Sequence, residues 1–156
     1  MAEGSRPLYI AVIGGGEAPP EIAALAREVG RELARRGVVV ICGGLGGVMA
    51  AAARGVQEEG GVCLGILPDA DRRRANPYLT YSLATNLGHA RNLLIVHSAQ
   101  GLIAVDGSYG TISEAALALK LAKPVVALAA SWEIPGLIRA DTPKEALDKL
   151  WRALGV

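Results

Sequence analysis

The residues most able to do chemistry in this chain are a glutamate, an arginine and three glycine-rich turns. Gly14-Gly15-Gly16, Gly43-Gly44-Leu45-Gly46-Gly47 and Gly107-Ser108-Tyr109-Gly110 each follow an apolar run and precede a helix-like stretch. Glycine lets a ligand approach the backbone closely, and a helix N-terminus offers free N–H groups and positive partial charge. Three such turns on one sheet edge suit an anion, most simply a phosphate. Thr111 and Glu114 continue the third turn in the S/T-x-x-E form of a capping box, in which Thr111 caps the helix and Glu114 reaches back to an amide. Thr142-Pro-Lys-Glu145 has the same spacing and reads as purely structural. Glu114 differs in context: it follows an apolar strand and a glycine loop, so a glutamate in that first turn faces a pocket edge. Arg91 falls near the start of another helix. There it is either a solvated arginine or the partner of a carboxylate or phosphate. Asn92 beside it faces ligand or solvent, and Asn86 is a candidate cap. Asp106 is either a second carboxylate or an unfavourable neighbour for a phosphate.

Spacing excludes the common alternatives. Pro19 and Met49 stand where a dinucleotide fingerprint needs its third glycine, and the run ending at Cys42 lacks a ribose-binding acid. No Gly-Lys-Ser or Gly-Lys-Thr forms a P-loop, and the four lysines all lie at Lys120 or later, which argues against Schiff-base chemistry. His89 and His97 have no third ligand nearby, so no metal site is expected. Cys42 and Cys63 read as buried thiols. Arg72, Arg73 and Arg74 read as a solvated loop, from which one could close over a ligand.

Positioning these residues requires a sheet with helices on both sides. Apolar runs at residues 9–13, 38–42, 62–67, 79–84, 102–105 and 124–128 predict six strands. Helical patterns separate them over about 21–36, 48–59, 88–98 and the stretch after Gly110, with a last helix from 141 to 154. Residues 69–77 are polar and irregular. Strand–helix alternation with runs apolar throughout predicts an α/β, single-domain, Rossmann-like three-layer sandwich with a mostly parallel, doubly wound sheet over residues 1–156. A hydrophobic share of 51% against 20% charged is enough for a real core. The net charge of +1 makes no case for nucleic acid or membrane partners. No apolar run reaches a membrane span, and the N-terminal segment, with Glu3 and a short glycine-rich run, does not read as a signal peptide. A cytoplasmic location is the expectation.

Taken together, these motifs resemble the LOG-like superfamily, often labelled lysine decarboxylase-like, and within it the branch that includes molybdenum-cofactor carrier proteins. The family hallmark P-G-G-x-G-T-x-x-E is similar to Asp106-Gly-Ser-Tyr-Gly-Thr-Ile-Ser-Glu114, with Asp106 for the proline and Ser108 for the middle glycine. The family's Arg-Lys pair appears as Arg91-Asn92, with the arginine kept and the lysine replaced, and its G-G-G-x-x-G-L-M segment is similar to residues 43–49, one residue shorter. The resemblance implies a phosphorylated small-molecule ligand and a homo-oligomer, dimer or tetramer. Two functions follow as expectations. One is a binding or carrier protein holding a nucleotide monophosphate or a molybdopterin-type cofactor. The other is a nucleoside 5′-monophosphate phosphoribohydrolase needing no cofactor. It would release free base and ribose 5-phosphate, with Glu114 acting on water or ribose, Arg91 holding charge and the amides near Thr111 holding phosphate.

Overall fold

A computed structural model describes residue 4 and residues 6–156. Glu3, on which the reading of the N-terminal segment partly rests, lies outside the described residues. In chain order the elements are β1 (Tyr9–Gly14), α1 (Pro20–Arg35), β2 (Val39–Cys42), α2 (Val48–Glu58), β3 (Val62–Leu67) and β4 (Tyr81–Ala84). A single 3-10 turn (Gly88–Ala90) leads into α3 (Arg91–Ser98), followed by β5 (Gly101–Val105), α4 (Tyr109–Lys120), β6 (Val125–Leu128), β7 (Ile138–Ala140) and α5 (Pro143–Leu154). The strands form one parallel sheet in the order β4-β3-β2-β1-β5-β6-β7.

Alternation along the central strands divides the core in two. Ile10 and Val12 pack with Ala26 and Val29 of α1, Ala52 of α2 and Leu147 of α5. Ala11 and Ile13, pointing the other way, pack with Ile95 and Val96 of α3 and Ala115 and Ala118 of α4. These are the two helical layers of a doubly wound α/β sandwich. Among the described residues no helix is long and apolar enough to cross a membrane.

Among the described residues there are seven strands where six were expected. β7 is only three residues long with Arg139 at its centre, so it carries no apolar run; pairing with Val126, Ala127 and Leu128 makes it a strand. β4 starts at Tyr81 rather than at 79. Thr80 bridges to β3 through its backbone N–H on Cys63 O (2.9 Å) and its hydroxyl accepting from Cys63 N–H (3.0 Å). Residues 69–80, the crossover to β4, contain no helix. Asn86 has φ +53° and caps nothing; the 3-10 turn begins after Leu87.

The two capping-box sequences behave differently. Thr142 Oγ1 accepts from Glu145 N–H (3.1 Å), and Glu145 Oε2 accepts from Asp141 N–H (3.1 Å). Thr142→Ala is expected to lower the unfolding free energy by about 1 kcal/mol in chemical denaturation. Helix α4, in contrast, begins at Tyr109, so Thr111 is already its third residue and no side chain caps it. The capping-box reading of Thr111 and Glu114 is therefore overturned. Glu114 lies in the second turn, free for another role.

Candidate functional site

The chain leaves β1 for β2, β3 and β4 on one side, then returns to place β5 beside β1. In this register Gly14 pairs with Val105, so the turn over residues 14–16 adjoins the turn starting at Asp106 at the switch in strand order. The loop after β2 closes over the same edge: Val48 N–H donates to Gly15 O at 3.0 Å. Close packing accounts for several of the glycines here. A Cβ on Gly47, at φ +63°, would lie 2.2 Å from Gly15 O; one on Gly43 would lie 2.5 Å from Arg91 Nη2 and 2.6 Å from Met49 Sδ. Likewise Gly14 meets Val48, Gly44 meets Leu67, Gly46 approaches Gly16 O and Gly107 meets Thr111. Only Gly16 and Gly110 among these turn glycines face open space.

Arg91 is not solvated. It is the first residue of α3 and is 8% exposed. Its Nη2 donates to Gly43 O at 3.4 Å and its Nη1 donates to Asn92 Oδ1, which turns Asn92 into a support for the guanidinium. Arg91 Nε is buried without a hydrogen-bond partner among the described residues. An unpartnered buried donor of this kind is costly. Glu114 and Arg91 line one cavity of about 60 Å³, together with Gly14, Gly43, Met49 and Ile95. Burial pushes the Glu114 carboxyl up to about 7, against the pull of nearby Arg91. Burial likewise lowers the Arg91 pKa, opposed by Glu114 first. Glu114 also lines a groove of about 430 Å³ between α3 and α4, with His89, Asn92, Gly110 and Ser113. It therefore separates an inner cavity from an open groove.

A third hollow of about 200 Å³ lies at the strand switch, lined by Gly15, Glu17, Ile22, Asp106, Gly107 and Ser108. Asp106 and Glu114 thus line different hollows; the carboxylate accompanying Asp106 is Glu17. Sequence reading passed over Glu17, although it directly follows the first glycine turn, and also over Met49 and Ile95, which look like ordinary core. Helices α1, α2 and α4 all begin at this edge with no side-chain cap. Ser108 is the N-cap residue of α4, Tyr109 is its first residue and 89% exposed, and Thr111 is buried. Arg72, Arg73 and Arg74 are exposed, as a solvated loop requires, and the residues after them pack onto the second glycine turn. Arg74 pairs with Asp69, while Asn76 N–H donates to Gly44 O (2.9 Å) and Asn76 Nδ2 donates to Leu45 O (2.9 Å). Cys42 and Cys63 are buried side by side, sulfurs 3.9 Å apart.

The SLOG cluster4 family model matches residues 7–152. An uncharacterized protein of Archaeoglobus fulgidus is 45% identical over 141 residues, covering 90% of this chain and 93% of that protein. Among solved structures, the molybdenum cofactor binding protein of the phototrophic bacterium Rippkaea orientalis superposes with a TM-score of 0.90 at 31% identity, over 95% of this chain and 98% of that one. The molybdenum cofactor carrier protein of Chlamydomonas reinhardtii superposes at 0.86 with 31% identity, over 97% and 100% of the two chains. DNA processing protein A of Streptococcus pneumoniae, at 16% identity and TM-score 0.76, shares the fold; the match covers 92% of this chain and 62% of that one.

Proposed function

We propose, from the premise that this chain belongs to the SLOG cluster4 family of the LOG-like superfamily, that it binds a phosphorylated cofactor or nucleotide without turning it over. A molybdopterin-type cofactor is the favoured ligand, and a homo-oligomer the working form. The observation that carries this reading is the Arg91 guanidinium, buried beside Glu114 in the cavity lined by Gly14 and Gly43, with one N–H unsatisfied. The likeness to two proteins described as binding or carrying the molybdenum cofactor supports it.

The residues present fit such a group. Uncapped first-turn amides at Tyr109, Gly110 and Thr111 suit phosphate oxygens, and Arg91 supplies charge. The neighbouring hollow holds Glu17 and Asp106, which as acceptors suit the N–H edge of a heterocycle rather than a second anion. The glycines of the first two turns, Gly14, Gly15, Gly16, Gly43, Gly44, Gly46 and Gly47, let these loops pack closely enough to form the rim. The cavity between Arg91 and Glu114 has room for a water or two, so the ligand body belongs in the adjoining groove.

Equilibrium binding of AMP and of molybdenum cofactor to the purified protein, with chromatography for released base, tests the proposal. Saturable binding without base release is expected, with Arg91→Met weakening affinity about ten- to hundredfold, the worth of a charge-assisted hydrogen bond. Absence of saturable binding of either ligand overturns it. The second reading, a phosphoribohydrolase, is favoured by one observation. A Glu114 carboxyl raised to about 7 suits general acid–base work at neutral pH. Base release from AMP that disappears in Glu114→Ala would replace the binding reading with that one.

A further inference from the structure

We propose that the groove between the N-terminal halves of α1 and α2 is a second small-molecule site, which takes an aromatic carboxylate. It lies in the helical layer opposite the one that carries Glu114, and it stands independently of the reading above.

Helices α1 and α2 come closest where Gly30 and Gly55 meet each other's backbones. Toward their N-termini they leave a groove of about 310 Å³, lined by Ala23, Ala24 and Ala51 and by Arg27, Arg54 and Tyr78. The guanidinia at this groove outnumber their acceptors. Glu58 accepts from Arg27 at 2.5 and 2.9 Å and from Arg31, and these bonds, those of Arg27 first, hold its carboxyl down at about 2. Arg54 stands off from the same carboxylate, its Nε 3.7 Å away and beyond hydrogen-bond range. Its guanidinium instead lies over the Tyr78 ring, 5.7 Å from the centroid. Glu28 is taken up by Arg31 and Arg35. Among the described residues no carboxylate lines the groove.

These features select the ligand. A guanidinium without a bonded acceptor takes a carboxylate through two parallel N–H bonds. Alanine methyls beside a stacked arginine and tyrosine offer an apolar, polarizable bed for an aromatic ring. The first turns of both helices, without side-chain caps, border the groove and add positive potential. The volume is at the small end of ligand pockets, so a single-ring acid fits it better than a nucleotide does. Occupancy also bears on the rim of the other site. Tyr78 N–H donates to Asn76 Oδ1 (3.1 Å), and Asn76 in turn holds the carbonyls of Gly44 and Leu45, each at 2.9 Å. An occupant that leans on Tyr78 therefore pulls on the second glycine turn.

Titration of the isotope-labelled full chain with sodium benzoate, followed amide by amide in NMR spectra, tests the site. Saturable shifts of the Ala23, Ala24, Ala50 and Ala51 amides are expected, with a Kd on the order of 1 mM, within reach of a ligand this small. The Gly44 and Leu45 amides are expected to move with the same Kd. Arg54→Gln, at an exposed position that the fold does not depend on, is expected to weaken binding about tenfold, the worth of a charge-assisted hydrogen bond. Cyclohexanecarboxylate, of equal charge but without a flat ring, is expected to bind at least about threefold more weakly. Alanine amides that show no saturable shift by about 20 mM benzoate overturn the site. An unchanged Kd in Arg54→Gln overturns the part given to its guanidinium, equal affinity for the two acids overturns the aromatic choice, and silent Gly44 and Leu45 amides overturn the link to the glycine turn. Shifts confined to the amides of Tyr109, Gly110 and Thr111 would put benzoate in the cofactor site, which overturns this proposal and leaves the binding reading intact.

Discussion

Glu114→Gln is expected to raise the unfolding free energy at pH 8 by up to about 3 kcal/mol and by less than about 1 kcal/mol at pH 5. The carboxyl of Glu114 is carried from its ordinary 4.5 to about 7, by burial first, with Arg91 holding it from going further. The folded state therefore binds the proton more tightly than the unfolded chain. The stability this supplies is fully present below about 4.5 and is lost as pH rises through 7. Glutamine keeps the shape of the protonated acid and cannot ionise, so its stability curve lacks this descent. Urea denaturation of both proteins at half-unit steps from pH 4.5 to 8.5 measures the difference directly. Parallel curves would show that the carboxyl sits in water and has no unusual environment. Arg91→Met removes the one named influence holding Glu114 down, so the descent should move to higher pH in that background. The same titration bears on binding: above pH 7 an ionised Glu114 competes with an anionic ligand for Arg91, and affinity for such a ligand should fall.

Gly30→Ala is expected to lower the unfolding free energy by about 2 kcal/mol or more. Helices α1 and α2 cross at their closest where Gly30 and Gly55 face each other's backbones. A Cβ on Gly30 would sit 2.1 Å from Ala52 O, and one on Gly55 would sit 1.9 Å from Arg27 O. Backbone oxygens cannot swing away as a side-chain tip can, so the helices must separate. Alanine's gain of about 1 kcal/mol in helix propensity does not offset that. Gly110→Ala is the control: it lies in α4 with nothing within 4 Å of the added carbon, and it should be neutral or slightly stabilising. Thermal unfolding of the three proteins checks the order. A Gly30→Ala protein as stable as the control would mean that the two helices do not pack this closely. The consequence reaches the site, because α2 carries Val48, which packs against Gly14 and bonds to Gly15.

Much of the fold was legible because its cause is local. Strands buried on both faces must be apolar along their length, as at residues 10–13 and 102–105, and such runs separated by helical periodicity admit few arrangements. β7 was not legible, because Ile-Arg-Ala becomes a strand only beside β6. The start of α4 was misread for a similar reason. Thr142 and Thr111 stand in the same sequence pattern, but only Thr142 lies at the boundary of a helix. Gly107, at φ +91° with its Cα face packed against Thr111, lets α4 begin two residues before Thr111.

The candidate site divides along the same line. Sequence alone determined that Glu114 and Arg91 belong with glycine-rich turns ahead of helices, since residue type and spacing carry that much, and it determined the sandwich that brings those turns to one edge. Tertiary structure decided the rest. It buried Arg91 under Gly43, set Glu114 between a closed cavity and an open groove, sent Asp106 to Glu17 instead, and assigned most of the glycines to loop-on-loop packing. The reason is that burial and pairing across strands depend on atoms distant in the chain. A carboxyl at position 114 has the same neighbours in sequence whether it ends up in water at 4.5 or enclosed at about 7.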